Sequence, residues 1–215
     1  MTRPPAGHKA LRSKPKVVPS SAMGLYTADG ARKYLTAGER EVFLRAAERA
    51  DPEPRTLCMV LAYAGCRLSE ALALTADRVD LAGGLLVFES AKKRRVGIHR
   101  AVPVPPALPD ALDLAHGVRR LQGRRGKGRG VRLWPWSRMT GWRIVHRVMG
   151  EAGLQGPHAS PKGLRHGFGV QAVSKGIALN MVQRWLGHAQ LTTTAIYADA
   201  DAVGEEEHSI AARMW

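Results

Sequence analysis

The last third of the chain contains the stretch PKGLRHGFGVQAVSKGIALNMVQRWLGHAQLTTTAIY, residues 161–197. Its first part places Leu164, Phe168 and Ala172 at four-residue spacing, which predicts a helix over residues 163–175. A glycine follows each of its first two apolar segments, and glycine is the residue that most often ends a helix. The stretch therefore predicts short helices joined by tight turns.

The second and third of these helices have start signals of their own. Asn180 is a suitable N-cap for a helix over residues 181–186. The threonines at residues 192–194 can cap a third helix, which carries the tyrosine of the stretch. Because the connecting turns are short, we expect Arg165, His188 and Tyr197 to share one neighbourhood.

These side chains fit attack on a phosphodiester. Tyrosine is a recognised covalent nucleophile, although as a neutral phenol it is weak. A guanidinium group is permanently charged and binds two phosphate oxygens at once, so a second arginine is expected upstream. Arg67 meets this expectation within GCRLSEALAL, residues 65–74. Taken alone, Arg67 could instead pair with Glu70 on a helix surface.

Five segments carry a resemblance to a known family. They are GCRLSE at 65–70, AKKRR at 91–95, LRH at 164–166, LGH at 186–188 and TTAIY at 193–197. In this order and spacing they resemble the catalytic domain of the tyrosine recombinase (phage integrase) family. One position differs. The family most often has histidine three residues before the second arginine, whereas this chain has Lys162, a variant that the family tolerates.

The middle of the chain predicts the remaining elements. Thr36 and Glu39 form the pattern of a capping box, and Trp142, Val145 and Met149 define the buried side of a later helix. One helix is expected to begin at Thr36. Further helices are expected over residues 55–64, 68–74, 108–121 and 140–152. The expected strands cover residues 79–81, 85–89 and 99–104. The fold class predicted is mainly α with a small three-stranded antiparallel sheet (α+β).

The resemblance also implies an activity: a site-specific DNA recombinase or integrase that cleaves and rejoins DNA through a 3′-phosphotyrosine. It would serve integration, excision or resolution of mobile DNA. Tyr197 would be the nucleophile, with the phosphate held by Arg67 and Arg165, and Lys162 and His188 would complete the site. His166 directly follows Arg165 and points elsewhere on the helix, so it is expected to be a structural partner rather than a catalyst. In the family a hairpin lysine protonates the leaving 5′-oxygen. Lys92 aligns best with it, and Lys93 is the rival. No metal, ATP or other cofactor is expected.

Other functions stay open at this point. A type IB topoisomerase would use a similar set of residues, and a binding-only regulator or an inactive DNA-binding remnant would keep the charge without the chemistry. A metal-dependent nuclease is disfavoured, because the spacing from Glu89 to Lys92 is one residue too long for the usual pattern. The sequence has no HExxH and no paired CxxC.

Charge indicates the partner. The chain has 215 residues, a formal net charge of +15 and a pI near 10.7, a balance typical of proteins that bind nucleic acid. Double-stranded DNA is therefore the expected partner. The residues predicted to contact DNA are Lys93, Arg94, Arg95, Arg124, Arg125, Lys127, Arg129 and Arg147. The alternative for the cationic hairpin and the loop at 123–130 is a solvated surface.

Three segments are predicted along the chain. Residues 1–34 are expected to form a basic flexible N-terminal arm, residues 35–200 the catalytic domain, and residues 201–215 a C-terminal tail that docks on a protomer. An arm this short leaves no room for the separate DNA-binding domain usual in the resembled family. We therefore expect self-association on DNA, as a dimer or tetramer, and a helper DNA-bending protein.

The remaining composition indicates the compartment. The two cysteines, Cys58 and Cys66, lie in apolar surroundings and are expected to be buried free thiols. No run of 18 apolar residues occurs, so no membrane span is expected. A cytoplasmic location is the prediction.

Overall fold

The structure, a computed structural model, describes residues 24–89, 97–123 and 130–201. Within these ranges the helices are α1 Ala37–Glu48, α2 Pro52–Ala64, α3 Leu68–Leu72, α4 Ala107–His116, α5 Val118–Gly123, α6 Arg138–Glu151, α7 Pro161–Ser174, α8 Leu179–Leu186 and α9 Thr192–Asp201. The strands are β1 Val79–Asp80, β2 Leu85–Glu89 and β3 His99–Pro103. The predicted fold class, mainly helical with a three-stranded antiparallel sheet, is confirmed.

Helix α1 begins as its sequence predicts. The Thr36 hydroxyl accepts a hydrogen bond from the Glu39 amide, Oγ1 to N 3.2 Å, and the Glu39 carboxylate accepts one from the Thr36 amide, Oε2 to N 2.8 Å. This reciprocal pair satisfies two amides that the first turn leaves without helical partners. The capping box is therefore confirmed, and it fixes where the chain enters the helical body.

The sheet is a meander in which β2 is central and antiparallel to both neighbours. Alternation along β2 buries Leu86 and Phe88, and Phe88 lies opposite Arg100 on β3. One face of the sheet therefore joins the core while β3 extends toward the C-terminal helices. Residues 90–96, which connect β2 to β3, lie outside the described residues.

Two apolar clusters hold the described residues together. The larger one gathers α1 to α6 with the sheet, and it includes Leu133 and Trp134 from the segment before α6. The smaller cluster joins Leu25 to residues of α7, α8 and α9, Tyr197 among them. Helix α7 contributes Leu164 to the larger cluster and Ala172 to the smaller one, so it links the two.

The helix predicted over residues 108–121 is two helices. Gly117 adopts φ 63°, in the left-handed region, and ends α4 before α5 begins at Val118. The predicted cap of α8 was also wrong. The N-cap is Ala178, with no side-chain hydrogen bond, and Asn180 lies inside the first turn. Both errors come from choosing among several residues that could end or begin a helix.

The second part of the predicted arm is integrated into the fold. Leu25 is fully buried against the C-terminal helices, and Tyr26 forms an antiparallel bridge with Arg32. Within the described residues, apolar burial therefore begins at Leu25, inside the segment predicted to be an arm. Residues 1–23 and 202–215 lie outside the described residues. Within the described residues, none of the helices has the length and apolar character needed to cross a membrane.

Candidate active site

An open cleft of about 440 Å³ is lined by residues of α3, α6, α7 and α9 and by the turn after α8. Five of the six predicted catalytic residues belong to its lining: Arg67, Lys162, Arg165, His188 and Tyr197. The rest of the lining is Leu68, Ser69, Arg138, Trp142, Ser160, Pro161, His166, Thr193 and Ile196. The sixth predicted catalytic residue, Lys92, lies outside the described residues.

Arg165 is oriented by two backbone carbonyls. Its Nη1 donates to Gly65 O at 2.9 Å and its Nη2 donates to Leu186 O at 2.8 Å, so the side chain ties the end of α2 to the end of α8. Burial, together with the charge of Arg67, lowers the pKa of Arg165 to about 10. The guanidinium is still charged at neutral pH, and its rotamer is fixed before any ligand binds.

Arg67 is held by a buried carboxylate. Its Nη1 donates to Glu70 Oε1 at 2.8 Å, the pair that the sequence offered as the alternative to a phosphate contact. The Arg67 side chain keeps 34% of its surface exposed, whereas the Glu70 side chain is fully buried. The ion pair therefore fixes one edge of the guanidinium and leaves the rest of it at the cleft.

A second arginine supports the same carboxylate. Arg100 on β3 donates from Nη2 to Glu70 Oε2 at 2.6 Å and from Nε to Trp185 O at 2.7 Å. Burial acts to raise the pKa of Glu70, but the hydrogen bond from Arg100 and the charges of Arg100 and Arg67 hold it below its ordinary value. Glu70 is thus an ionised, buried carboxylate that connects the sheet to the cleft.

His188 follows the left-handed Gly187, which ends α8 at φ 66°. Its Nδ1 lies 2.9 Å from Thr194 Oγ1, and its ring stacks on the Tyr197 ring with centroids 6.1 Å apart. Burial and the charges of Arg165 and Arg67 lower the pKa of His188 to about 3. The imidazole is therefore neutral at physiological pH. The predicted threonine cap lies inside α9, where Thr194 is buried and holds this histidine.

Tyr197 lies on α9 with 1% of its surface exposed. The ring packs so closely on α7 that a Cβ at Gly169 would lie 2.6 Å from the tyrosine Cζ. Burial raises the pKa of the Tyr197 hydroxyl, and the charges of Arg165 and Arg67 oppose that rise. Glycine at position 169 is what allows the tyrosine to lie beside the two arginines.

His166 is the residue that the sequence interpretation misplaced. It was taken as a structural partner that points away from the site, yet its Nδ1 lies 3.1 Å from the Tyr197 hydroxyl oxygen. The ring is tilted against the tyrosine with centroids 5.9 Å apart. Its position directly after Arg165 was the available signal, but the direction of its side chain depends on where α9 docks.

The predicted DNA-contacting residues fall into two groups. Arg147 is exposed on α6 and pairs loosely with Glu151, Nε to Oε1 3.7 Å. The residues outside the described ranges are Lys93, Arg94, Arg95, Arg124, Arg125, Lys127 and Arg129. Trp142, predicted to lie in the core, is 40% exposed at the cleft and stacks on His146 with centroids 4.7 Å apart. The buried side of α6 therefore includes Val145 and Met149, as predicted, but not Trp142.

Within residues 24–89, 97–123 and 130–201, no group of three or more His, Cys, Asp or Glu side chains is placed to hold a metal ion. The charged groups at the cleft are instead cationic, with Arg67, Arg165 and Lys162 around a buried phenol. Fixed guanidinium groups in the same cleft as a phenol are suited to bind a phosphate and to stabilise negative charge on it.

The family of the chain follows from a direct comparison. The phage integrase family matches residues 33–203. The chain belongs to the phage integrase family. The match includes α1 to α9, and so it contains every residue of the cleft described above.

Two curated relatives and one solved structure illustrate this membership. This integrase-family chain is 29% identical over 197 residues to tyrosine recombinase XerA of Thermococcus kodakarensis, covering 88% of the chain and 62% of the relative. It is 34% identical over 178 residues to tyrosine recombinase XerD of Pseudomonas aeruginosa, covering 77% and 56%. A crystal structure of XerA recombinase superimposes with a TM-score of 0.63 at 28% identity, covering 76% and 59%. The chain thus spans less than two thirds of the length of these relatives.

Proposed function

We propose that this chain is a site-specific DNA recombinase of the integrase type, which cleaves and rejoins DNA through a covalent bond between Tyr197 and a 3′-phosphate. The observation that carries the proposal is the cleft itself. Two immobilised arginines, Arg67 and Arg165, line the same 440 Å³ cleft as Tyr197. The relatives named above are tyrosine recombinases, which supports this reaction over DNA relaxation.

The proposed reaction is one phosphoryl transfer followed by its reverse. In cleavage, Tyr197 Oη releases its proton to solvent water and bonds to phosphorus, the bond from phosphorus to the 5′-oxygen breaks, and Lys92 protonates that oxygen as general acid. Arg67 and Arg165 bind the non-bridging oxygens and stabilise their charge, while Lys162 and His188 complete the phosphate site and take part in proton transfer. A 5′-hydroxyl then attacks the phosphotyrosine and restores the DNA strand.

Double-stranded DNA is the proposed substrate. The net charge of +15 favours a polyanion, and Arg147 has a pairing loose enough to exchange its carboxylate for a phosphate. Recombination joins two duplexes, so we further propose self-association on DNA as a dimer or tetramer. A DNA-bending helper protein is compatible with this assembly.

The test is trapping of the covalent complex. A duplex nicked near the cleavage site loses its short 5′-hydroxyl fragment after attack, so the adduct accumulates and is retained on a denaturing gel. Wild-type protein is expected to form the adduct, and Tyr197→Phe is expected to form none, because it keeps the buried ring and lacks the attacking oxygen. DNA binding by Tyr197→Phe should persist in a gel shift.

The matched control is Tyr63→Phe, which removes the hydroxyl of a tyrosine outside the cleft lining. This variant should form the adduct at the wild-type rate. Adduct formation by Tyr197→Phe at a normal rate would remove Tyr197 as the nucleophile. No adduct from wild-type protein on any cognate duplex, despite binding, would contradict the proposed function.

A further inference from the structure

The hydroxyl of Tyr197 is engaged before any substrate is present. His166 Nδ1 lies 3.1 Å from the tyrosine oxygen, a distance at which one of the two atoms donates a hydrogen bond to the other. His166 is on α7, one residue after Arg165, so the same turn of helix supplies a phosphate ligand and a contact to the nucleophile. The role assigned to the cleft above makes no use of this imidazole.

The other ring nitrogen shows which atom donates. His166 Nε2 is buried and has no hydrogen-bond partner in the part of the chain that the structure describes. A neutral imidazole has a single N–H. If that hydrogen were on Nε2, a buried donor would be left without an acceptor. If it is on Nδ1, the donor meets the tyrosine oxygen and Nε2 keeps only a lone pair, which buried groups tolerate more often. The tyrosine O–H is then left to donate to a ligand in the cleft that Tyr197 lines.

The electrostatic surroundings keep the imidazole neutral. Burial, together with the charges of Lys162, Arg165 and Lys33, lowers the pKa of His166 to about 4. No acidic group contributes to this shift, and Tyr197 itself is the polar group that faces the ring. A neutral histidine can still act as a hydrogen-bond donor to developing negative charge, since it does not need to be an imidazolium to polarise an oxygen.

We propose that His166 is a further catalytic residue of this site, whose neutral imidazole donates its Nδ1–H to Tyr197 Oη. The bond holds the oxygen at the cleft and stabilises negative charge on it. The proposal rests on the function proposed above and adds a residue to it. Its main effect falls on strand joining, in which tyrosine is the leaving group.

The joining step shows where the charge develops. The 5′-oxygen bonds to phosphorus, its proton passes to the Lys92 amine, and the bond from phosphorus to Oη breaks with its electron pair remaining on Oη. Solvent water then returns to Oη the proton that it received during cleavage. Until that return, Oη carries the charge of a phenolate, and the fixed N–H of His166 stabilises it as an oxyanion-hole donor does.

The tautomer can be measured directly on the full-length, unaltered chain. Histidine labelled with ¹⁵N distinguishes a protonated from an unprotonated ring nitrogen by chemical shift, and the His166 signals are those that disappear in His166→Asn. The expected result is a protonated Nδ1 and an unprotonated Nε2 at neutral pH. A protonated Nε2 with a bare Nδ1 would make His166 an acceptor and overturn the proposal.

Kinetics provide the second test. The trapped adduct is supplied with a 5′-hydroxyl strand, and the rate of joining is compared for His166→Asn and His166→Leu. Asparagine places an amide nitrogen near the position of Nδ1 and can donate, so it should stay within about tenfold of wild type. Leucine removes the donor and should slow joining by about 10²-fold, the typical effect of losing one oxyanion donor. DNA affinity should not change in either variant.

His116→Asn is the matched control, because His116 is a hydrogen-bonded histidine outside the cleft lining. It should join DNA at the wild-type rate. If wild-type protein forms adducts and His166→Leu joins at the wild-type rate, this proposal fails while the proposed function stands. If wild-type protein forms none, the proposed function fails, and the tautomer measurement still decides the hydrogen bond. Because that measurement uses unaltered protein, the decision does not require His166→Leu to fold.

Discussion

The two histidines beside Tyr197 give the site a predictable response to acid. Their pKa values are lowered from the ordinary 6.5 to about 4 for His166 and about 3 for His188 by burial and nearby cations. As the pH falls below 6.5, these histidines bind protons in the unfolded chain but stay neutral in the folded chain. The free energy of unfolding therefore decreases. Above pH 6.5 both states are neutral and the histidines contribute nothing to this dependence.

This linkage predicts the behaviour of His166→Asn. Between pH 7.5 and 4.5, its free energy of unfolding should decrease less than that of wild type, by a difference on the order of 2 kcal/mol. Urea unfolding at the two pH values measures both quantities. The same decrease in variant and wild type would show that His166 takes up its proton as readily in the folded chain as in the unfolded one.

Single residues of the cleft were predictable where the chemistry depends on residue type. Arg165, His188 and Tyr197 were selected from the sequence because a phosphate needs cations and a nucleophile, and the structure brings them together. His166 was not, because a side chain one position further around a helix points about 100° away. Whether that direction meets solvent or the tyrosine depends on the docking of α9 on α7, which no local pattern contains.

Among the elements, β3 supports the cleft through a single side chain. Arg100 reaches from the sheet to Glu70, which binds Arg67, and to the carbonyl of Trp185, three residues before His188. The Arg100 and Glu70 side chains are 8% and 0% exposed. Removing Arg100 leaves the buried Glu70 carboxylate with only the partly exposed Arg67 as its ionic partner, which costs far more than losing an exposed pair.

We therefore predict that Arg100→Met lowers the free energy of unfolding by about 3–5 kcal/mol. Arg78→Met is the matched control, since Arg78 pairs with Glu89 at the same sheet but both side chains are partly exposed, 26% and 36%. Its loss should be about 0–1 kcal/mol. Adding Glu70→Gln to Arg100→Met should recover part of the loss. Equal effects of Arg100→Met and Arg78→Met in urea unfolding would contradict the buried role of the first pair.

Elements were predicted well where one signal decided them and poorly where several competed. Thr36 with Glu39 is an unambiguous capping box, and both partners form it. Trp142 matches the apolar period of α6, but the site above it is the open cleft, so burial of the indole would need a neighbour that the fold does not provide there. Periodicity identifies the face of a helix and cannot show how far its partner extends.

At the scale of the whole chain, composition indicated a polyanion partner and the motif order indicated the family. The packing of residues 24–34 depends on contacts that are distant in the sequence. Residues 24–34 are rich in polar and basic side chains, yet Leu25 is fully buried in the same cluster as Tyr197. One apolar side chain, placed against three helices that are far away in the sequence, is enough to dock a segment that resembles a tail.

The net charge of +15 leads to a prediction about DNA binding. Each phosphate contact releases condensed counterions, so the logarithm of affinity should fall with the logarithm of salt concentration with a slope near −0.9 per contact. With about six contacts, the affinity should drop roughly 10³-fold between 50 and 200 mM salt. Because phosphate contacts carry no sequence information, a single protomer should discriminate poorly between a cognate and a scrambled duplex. Specificity would then come from several protomers on adjacent sites.

Arg147→Ala tests this electrostatic account at one position. It should weaken binding to both duplexes equally and reduce the salt slope by about one contact. Arg119→Ala is the matched control, because Arg119 pairs with Asp113, Nε to Oδ2 3.3 Å, and is not among the residues predicted to contact DNA. This variant should leave the salt slope unchanged. Gel shifts across a salt series measure both. A shallow slope, together with strong preference of the monomer for its cognate site, would mean that the described helices read base edges themselves, and that the arginines serve mainly to position them.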